Sequence, residues 1–126
     1  MIIHVDPKDA RPIYRQVADE IKALIAGGQL RTGEPLPAVR QVAADLGVNL
    51  NTIATAYREL QDEGLITVRH GMRAMVTSRT TNETAQFGSR RSLRTALAEL
   101  VLAGMPRAEI MSLVSTELKD LTKGAK

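Results

Sequence analysis

A chain of 126 residues holds one ordinary domain, or a small domain with an appendage. Hydrophobic residues make up 44% and charged residues 25%, the balance of a soluble globular protein, and the lack of cysteine excludes disulfides and thiolate metal sites and fits a reducing cytosol. Net charge is +3, yet residues 1–78 carry nine Lys/Arg against nine Asp/Glu, so the excess lies in residues 79–126 and bulk charge alone makes no case for a nucleic-acid partner.

The start of the chain reaches the Asp6 carboxylate too soon to contain the apolar stretch of a secretory signal. Pro12 opens the first clear helix, whose apolar side is Ile13, Val17, Ile21, Leu24 and Ile25 and whose end is Gly27-Gly28. With only Tyr14, Tyr57 and Phe87 aromatic, the core falls to aliphatic side chains, which favours helices over a sheet sandwich. Residues 30–37 contain Gly33, Pro35 and Pro37 and read as a turn-rich connector. A short helix follows with Val39, Val42, Ala43 and Leu46 on one face, closed by Gly47. Asn49 or Asn51 can cap the next helix, which buries Ile53, Ala56, Tyr57 and Leu60 and stops at Gly64.

Two helices separated by a few residues around Gly47 have the spacing of a helix-turn-helix. Residues 65–68 and 74–77 read as two short strands with Arg69, His70, Gly71, Met72 and Arg73 at the hairpin tip. Residues 79–91 are polar and patternless and read as a linker. Beyond it Leu93, Leu97, Leu100 and Val101 form one helical stripe, and Gly104 and Pro106 separate it from a second, with Ile110, Leu113, Val114, Leu118 and Leu121. The expected fold is mainly α with a small β-hairpin: an N-terminal winged helix-turn-helix (1–78), a linker (79–91) and a C-terminal two-helix module (92–126). A module of this size lies below the roughly 40 residues needed to fold without outside help, so its apolar stripes need the winged helix or a second copy of the chain.

With Ile53, Tyr57 and Leu60 turned inward, Asn51, Thr55 and Arg58 point the opposite way. Short amides, a hydroxyl and one cation suit base-edge readout, although the same composition suits a solvated helix face. Arg40 stands near the start of the preceding helix, where a cation opposes the macrodipole; an external anion such as a DNA phosphate would offset this. Arg69, His70 and Arg73 crowd positive charge onto the hairpin tip, as wings that follow a groove do. His4 and His70 are the only histidines and lie far apart, so no metal site is expected, and no acid–base pair or phosphate-cradling glycine loop supports an enzyme or a cofactor. The longest apolar run, residues 96–105, is broken by Glu99 and too short to cross a bilayer.

From residue 12 to 76 the chain resembles the GntR family of bacterial regulators. Ile13-Tyr14-Arg15-Gln16-Val17 is similar to the family's opening helix, and Gly33-Glu34-Pro35-Leu36-Pro37-Ala38-Val39-Arg40 to its proline-rich turn and arginine. Asn49-Leu50-Asn51-Thr52 and Ala56-Tyr57-Arg58-Glu59-Leu60 resemble the recognition helix of the YtrA-like branch, and the short C-terminus resembles that branch's dimerisation module. The resemblance implies DNA contact by Arg40, Asn49, Asn51, Thr52, Thr55, His70 and Gly71. It implies a cytoplasmic bacterial homodimer, pairing through Leu93, Leu97, Leu100, Val101, Ile110, Leu113, Val114 and Leu118, and acting as a repressor on a palindromic operator. Arg58 and Arg69 join the DNA set from the residue reading alone. Where the family often has glycine, threonine and phenylalanine in the wing, this chain has Arg73, Ala74 and Met75. About 35 residues beyond the linker are too few to enclose a drug-sized cavity in one chain, and no effector is specified. The competing reading is a winged helix that docks a protein, for which the neutral N-terminal half is the main argument.

Overall fold

The computed structural model describes residues 3–68, 73–77 and 83–123. Among these residues five helices and one hairpin follow in the order α1 (Ile13–Ala26), α2 (Val39–Leu46), α3 (Leu50–Asp62), β1 (Ile66–Thr67), β2 (Met75–Val76), α4 (Glu83–Leu102) and α5 (Arg107–Leu121). The chain divides into two compact units near residue 79.

In the first unit α1 and α2 both pack on α3, and α3 packs on β1. Val17, Ile21, Leu36, Ile53 and Leu60 are fully buried, each contributing roughly 1.5–3 kcal/mol of apolar burial. Pro12 caps α1 rather than occupying its first turn, one position earlier than expected. Gly47 takes φ 68°, the left-handed conformation that lets Val48 N–H bond back to Ala43 O at 3.0 Å and turns the chain sharply from α2 into α3. Gly64 (φ 76°) closes α3 in the same manner, with Leu65 N–H on Leu60 O at 2.9 Å.

β1 and β2 pair antiparallel with Ile66 opposite Val76 and Thr67 opposite Met75. The segment expected to be a plain connector has a structural role. Gly33 N–H donates to Val76 O (2.8 Å), Val76 N–H to Glu34 O (2.9 Å) and Leu36 N–H to Ala74 O (2.8 Å), so residues 33–36 run along the outer side of β2. Pro35 is tolerated there because an edge position needs no donor from it. The wing base is therefore backed on both sides, which places the α2 start beside it.

The N-terminal segment is fastened by a buried polar side chain that the sequence reading passed over. Gln16 accepts from Asp6 N–H (2.8 Å) and donates to Asp6 O (3.1 Å) and Arg11 O (2.9 Å), while Ile3 joins the core. Arg11 bridges Asp9 and Asp19, and its hydrogen bonds hold the Asp9 carboxyl below its ordinary range.

The second unit consists of α4 and α5. The α4 helix begins at Glu83, so residues 83–91 are helical rather than linker. Glu, Ala, Gln and Arg form helix without needing an apolar stripe, which is the signal whose absence read as irregular chain. Among the described residues no helix is long and apolar enough to cross a membrane, and no group of three or more metal-ligating side chains is found.

Candidate nucleic-acid interface

The start of α3 stands out from the domain by its polarity and exposure. Asn49 is the N-cap, with extended backbone (φ −63°, ψ 138°), and its Oδ1 accepts from Asn51 N–H at 2.7 Å. One acceptor of the Asn49 amide is thus committed to the helix. The Asn51 amide is exposed and makes no hydrogen bond among the described residues, so both its donor and its acceptor face outward unengaged there. One turn on, Thr55 Oγ1 donates to Asn51 O at 2.8 Å, which fixes its hydroxyl proton. Thr52 is half-buried, and Arg58 is exposed with no carboxylate partner among the described residues. Leu50, in the same first turn, is 40% exposed, an apolar side chain absent from the residues expected to meet DNA.

Arg40 is exposed in the first turn of α2, and among the described residues no carboxylate meets it. Ala38 caps that helix without a side-chain acceptor, so the first-turn amides and the guanidinium share one uncompensated positive end. The orientation of this end is fixed from two sides. Tyr57 Oη on α3 donates to Pro37 O at 2.7 Å, and Arg73 Nε beside the wing donates to Leu36 O at 3.1 Å. Burial pushes the Tyr57 phenol up to about 12, partly offset by the nearby Arg73 charge, so the hydroxyl stays a donor through neutral pH. Neither clamp was foreseen. The helical period shows Tyr57 only as a core residue, and the sequence places Arg73 among three tip cations; the structure turns its Nε inward to the turn before α2. Between these elements lies an open groove of about 510 Å³, bordered by Pro37, Val39, Arg58, Gln61, Val68 and Arg73 among others.

The structure brings Arg40, Asn49, Asn51, Thr52, Thr55 and Arg58 together on α2 and α3. Arg69, His70 and Gly71 lie outside the described residues. Of the residues expected to pair two chains, Leu93, Val101, Leu113 and Leu118 are exposed, and Leu97, Leu100 and Val114 are half-buried. Ile110 is 8% exposed, already covered within one chain, and gains little from a partner.

The helix-turn-helix and its hairpin belong to a chain that has relatives in both sequence and fold. The family model of bacterial regulatory proteins, gntR family, matches residues 13–76. The HTH-type transcriptional repressor YtrA of Bacillus subtilis is 33% identical over 101 residues, covering 80% of this chain and 77% of that protein. The crystal structure of a transcriptional antiterminator from Listeria monocytogenes superposes with a TM-score of 0.87 at 27% identity, covering 96% of this chain and 92% of that one. AraR(DBD) in complex with operator ORX1 superposes with a TM-score of 0.54 at 26% identity, over 60% of this chain and 93% of that one. Matched across its helix-turn-helix and over most of its length, the chain belongs to the gntR family of bacterial regulatory proteins, in the YtrA-like branch, and is a winged-helix DNA-binding transcription regulator.

Proposed function

We propose that the protein is a cytoplasmic repressor that binds a palindromic operator as a homodimer. The observation that carries the DNA-reading half is the unengaged, exposed Asn51 amide at the start of α3, flanked by Thr55, Arg58 and the free guanidinium of Arg40. An asparagine with both amide groups available can bond adenine N6 and N7 together, and Leu50 beside it suits a thymine methyl. Arg40, Asn49 and Thr52 hold the backbone or neighbouring bases, and Arg69, His70 and Gly71 on the wing add groove contacts. Repression follows from occupancy of a promoter, the role named for the similar YtrA of Bacillus subtilis.

The homodimer rests on the exposed aliphatic side chains of α4 and α5. Leu93 is 52% exposed, Val101 62% and Leu118 54%, more large apolar surface than two short helices leave open without purpose. A two-fold dimer presents two α3 helices and calls for half-sites one or more helical turns apart, roughly 34 Å per turn. Sedimentation velocity of the full chain with a labelled duplex from its own promoter region tests this directly. Two chains per duplex, with a footprint symmetric about its centre, is the expected result. One chain per duplex, or an asymmetric footprint, would refute the palindromic dimer.

A further inference from the structure

Resting on the DNA-binding reading above, in which Arg40 meets the operator, we infer that Arg73 is a positioning residue. Its Nε–H, not its charge, aims Arg40 by holding the turn that leads into α2. Arg73, that turn and Arg40 all lie within the first unit. The α2 helix has only eight residues and no local device at its start, since Ala38 stands at the N-cap without a side-chain acceptor. A helix this short owes its place to contacts made elsewhere in the fold. Its buried side chains, Val42 and Ala43, come after Arg40, which is itself exposed.

What sets the helix start is the turn before it. Leu36 is held at both of its peptide groups by consecutive residues beside the wing. Its N–H donates to Ala74 O at 2.8 Å, and its O accepts from Arg73 Nε at 3.1 Å. Pro37 follows with φ fixed by its ring, and its O accepts from Tyr57 Oη at 2.7 Å. Two successive carbonyls are thus pinned by side chains 37 and 20 residues away in sequence. Arg40 follows Pro37 by one short stretch of backbone, so a rotation of the Leu36–Pro37 peptide carries its guanidinium along. A shift of about 1 Å there takes an N–H beyond the roughly 2.7–3.2 Å at which it bonds an oxygen. Among the described residues the Nε–H is the one group of Arg73 with a hydrogen-bond partner, and no carboxylate meets its guanidinium. Arg73 borders the same open groove as Arg58, so the competing use of this residue is a direct phosphate contact through its charge.

The experiment compares Arg73→Gln and Arg73→Met in the full chain, each alone and combined with Arg40→Ala. Anisotropy titrations use duplex from the chain's own promoter region and a scrambled duplex, across a salt series. Both Arg73 variants remove the charge. Gln keeps an N–H donor the same number of bonds from Cα as the Arg Nε, whereas Met keeps the length without a donor. Arg40→Ala is expected to lose about tenfold on the promoter duplex. Arg73→Met should lose about fivefold or more, never exceeding the Arg40→Ala loss, and should add less than about twofold once Arg40 is gone. Arg73→Gln should stay within about threefold of the full chain, with an unchanged slope of log affinity against log salt. Equal losses for Gln and Met, with a slope shallower by about 0.9, would overturn the inference and make Arg73 a phosphate contact. Losses of Arg73→Met and Arg40→Ala that simply multiply would overturn it too, as would full affinity in either single variant. Thermal unfolding is followed for each variant, and Arg73→Met unfolded at the assay temperature would make the residue a support of the fold instead. A full chain that does not prefer the promoter duplex over the scrambled one would overturn the proposed function itself, a result visible before any variant is compared.

Discussion

Asn49 and Asn51 are two residues apart and chemically identical, yet the backbone gives them different work. Asn49 sits where its Oδ1 reaches the Asn51 N–H and closes the helix start; Asn51, inside the first turn, finds no partner for its amide among the described residues. Asn49→Ala is therefore expected to lower stability by about 1 kcal/mol in urea unfolding. Asn51→Ala should leave stability within about 0.5 kcal/mol and weaken operator binding by roughly 1–3 kcal/mol, with scrambled DNA unaffected. An equal loss on both duplexes would mean that Asn51 meets phosphate rather than a base. Spacing alone allowed either asparagine to cap, because the choice depends on which one leaves the helical backbone. Tyr57 makes a similar point. Its apolar ring was legible as core from the helical period, but the Oη bond to Pro37 O required the fold to bring residues 20 apart together. Tyr57→Phe should cost about 1 kcal/mol, since Pro37 O loses its donor. Because the phenol is raised to about 12 in the folded state from an ordinary 10.0, the unfolded chain releases that proton first as the solution turns alkaline. Stability from this group is complete below about pH 10 and is lost as pH rises toward 12, a decline that Tyr57→Phe should lack in urea titrations across that range.

At the scale of elements, hydrophobic period and glycine punctuation were enough to locate α1, α2, α3 and the hairpin to within a residue or two. What escaped was structure held by hydrogen bonds at long sequence separation. Residues 33–36 look like a connector because proline and glycine dominate them, and only their bonds to β2 reveal a third run along the wing. The N-terminal strap is held the same way, by the Gln16 amide. Gln16→Leu would leave Asp6 N–H and Arg11 O unpartnered and Asp6 O with the Asp9 N–H as its remaining donor, and is expected to lower stability by roughly 1–3 kcal/mol. Hydrogen exchange should quicken over residues 3–11 and stay unchanged in α3; uniform quickening would mean that Gln16 supports the whole core. The early start of α4 escaped for the opposite reason. An exposed helix needs no apolar face, so its period is silent over residues 83–91 although its residue types favour helix.

For the whole molecule, the family was legible from motifs at the start of α3 and in the turn before α2, whereas pairing of two chains leaves only an indirect mark, the aliphatic side chains that one chain does not cover. Leu93→Glu with Val101→Glu places two charges on the proposed seam. The double variant is expected to sediment as a monomer, to retain the thermal transition of the first unit, and to bind the operator at least about tenfold more weakly once the half-sites are no longer engaged together. A variant that still sediments as a dimer would move the interface elsewhere.

Sequence-specific recognition is the claim on which the rest depends, and fluorescence anisotropy across a salt series tests it most directly, with the full chain titrated into duplex from its own promoter region and into a scrambled duplex of equal length. The account predicts tight binding to the promoter duplex, weaker binding to the scrambled one, and a steep decline of both with salt. Equal, weak and salt-insensitive binding to the two duplexes would contradict it and point to a protein-docking use of the α3 face.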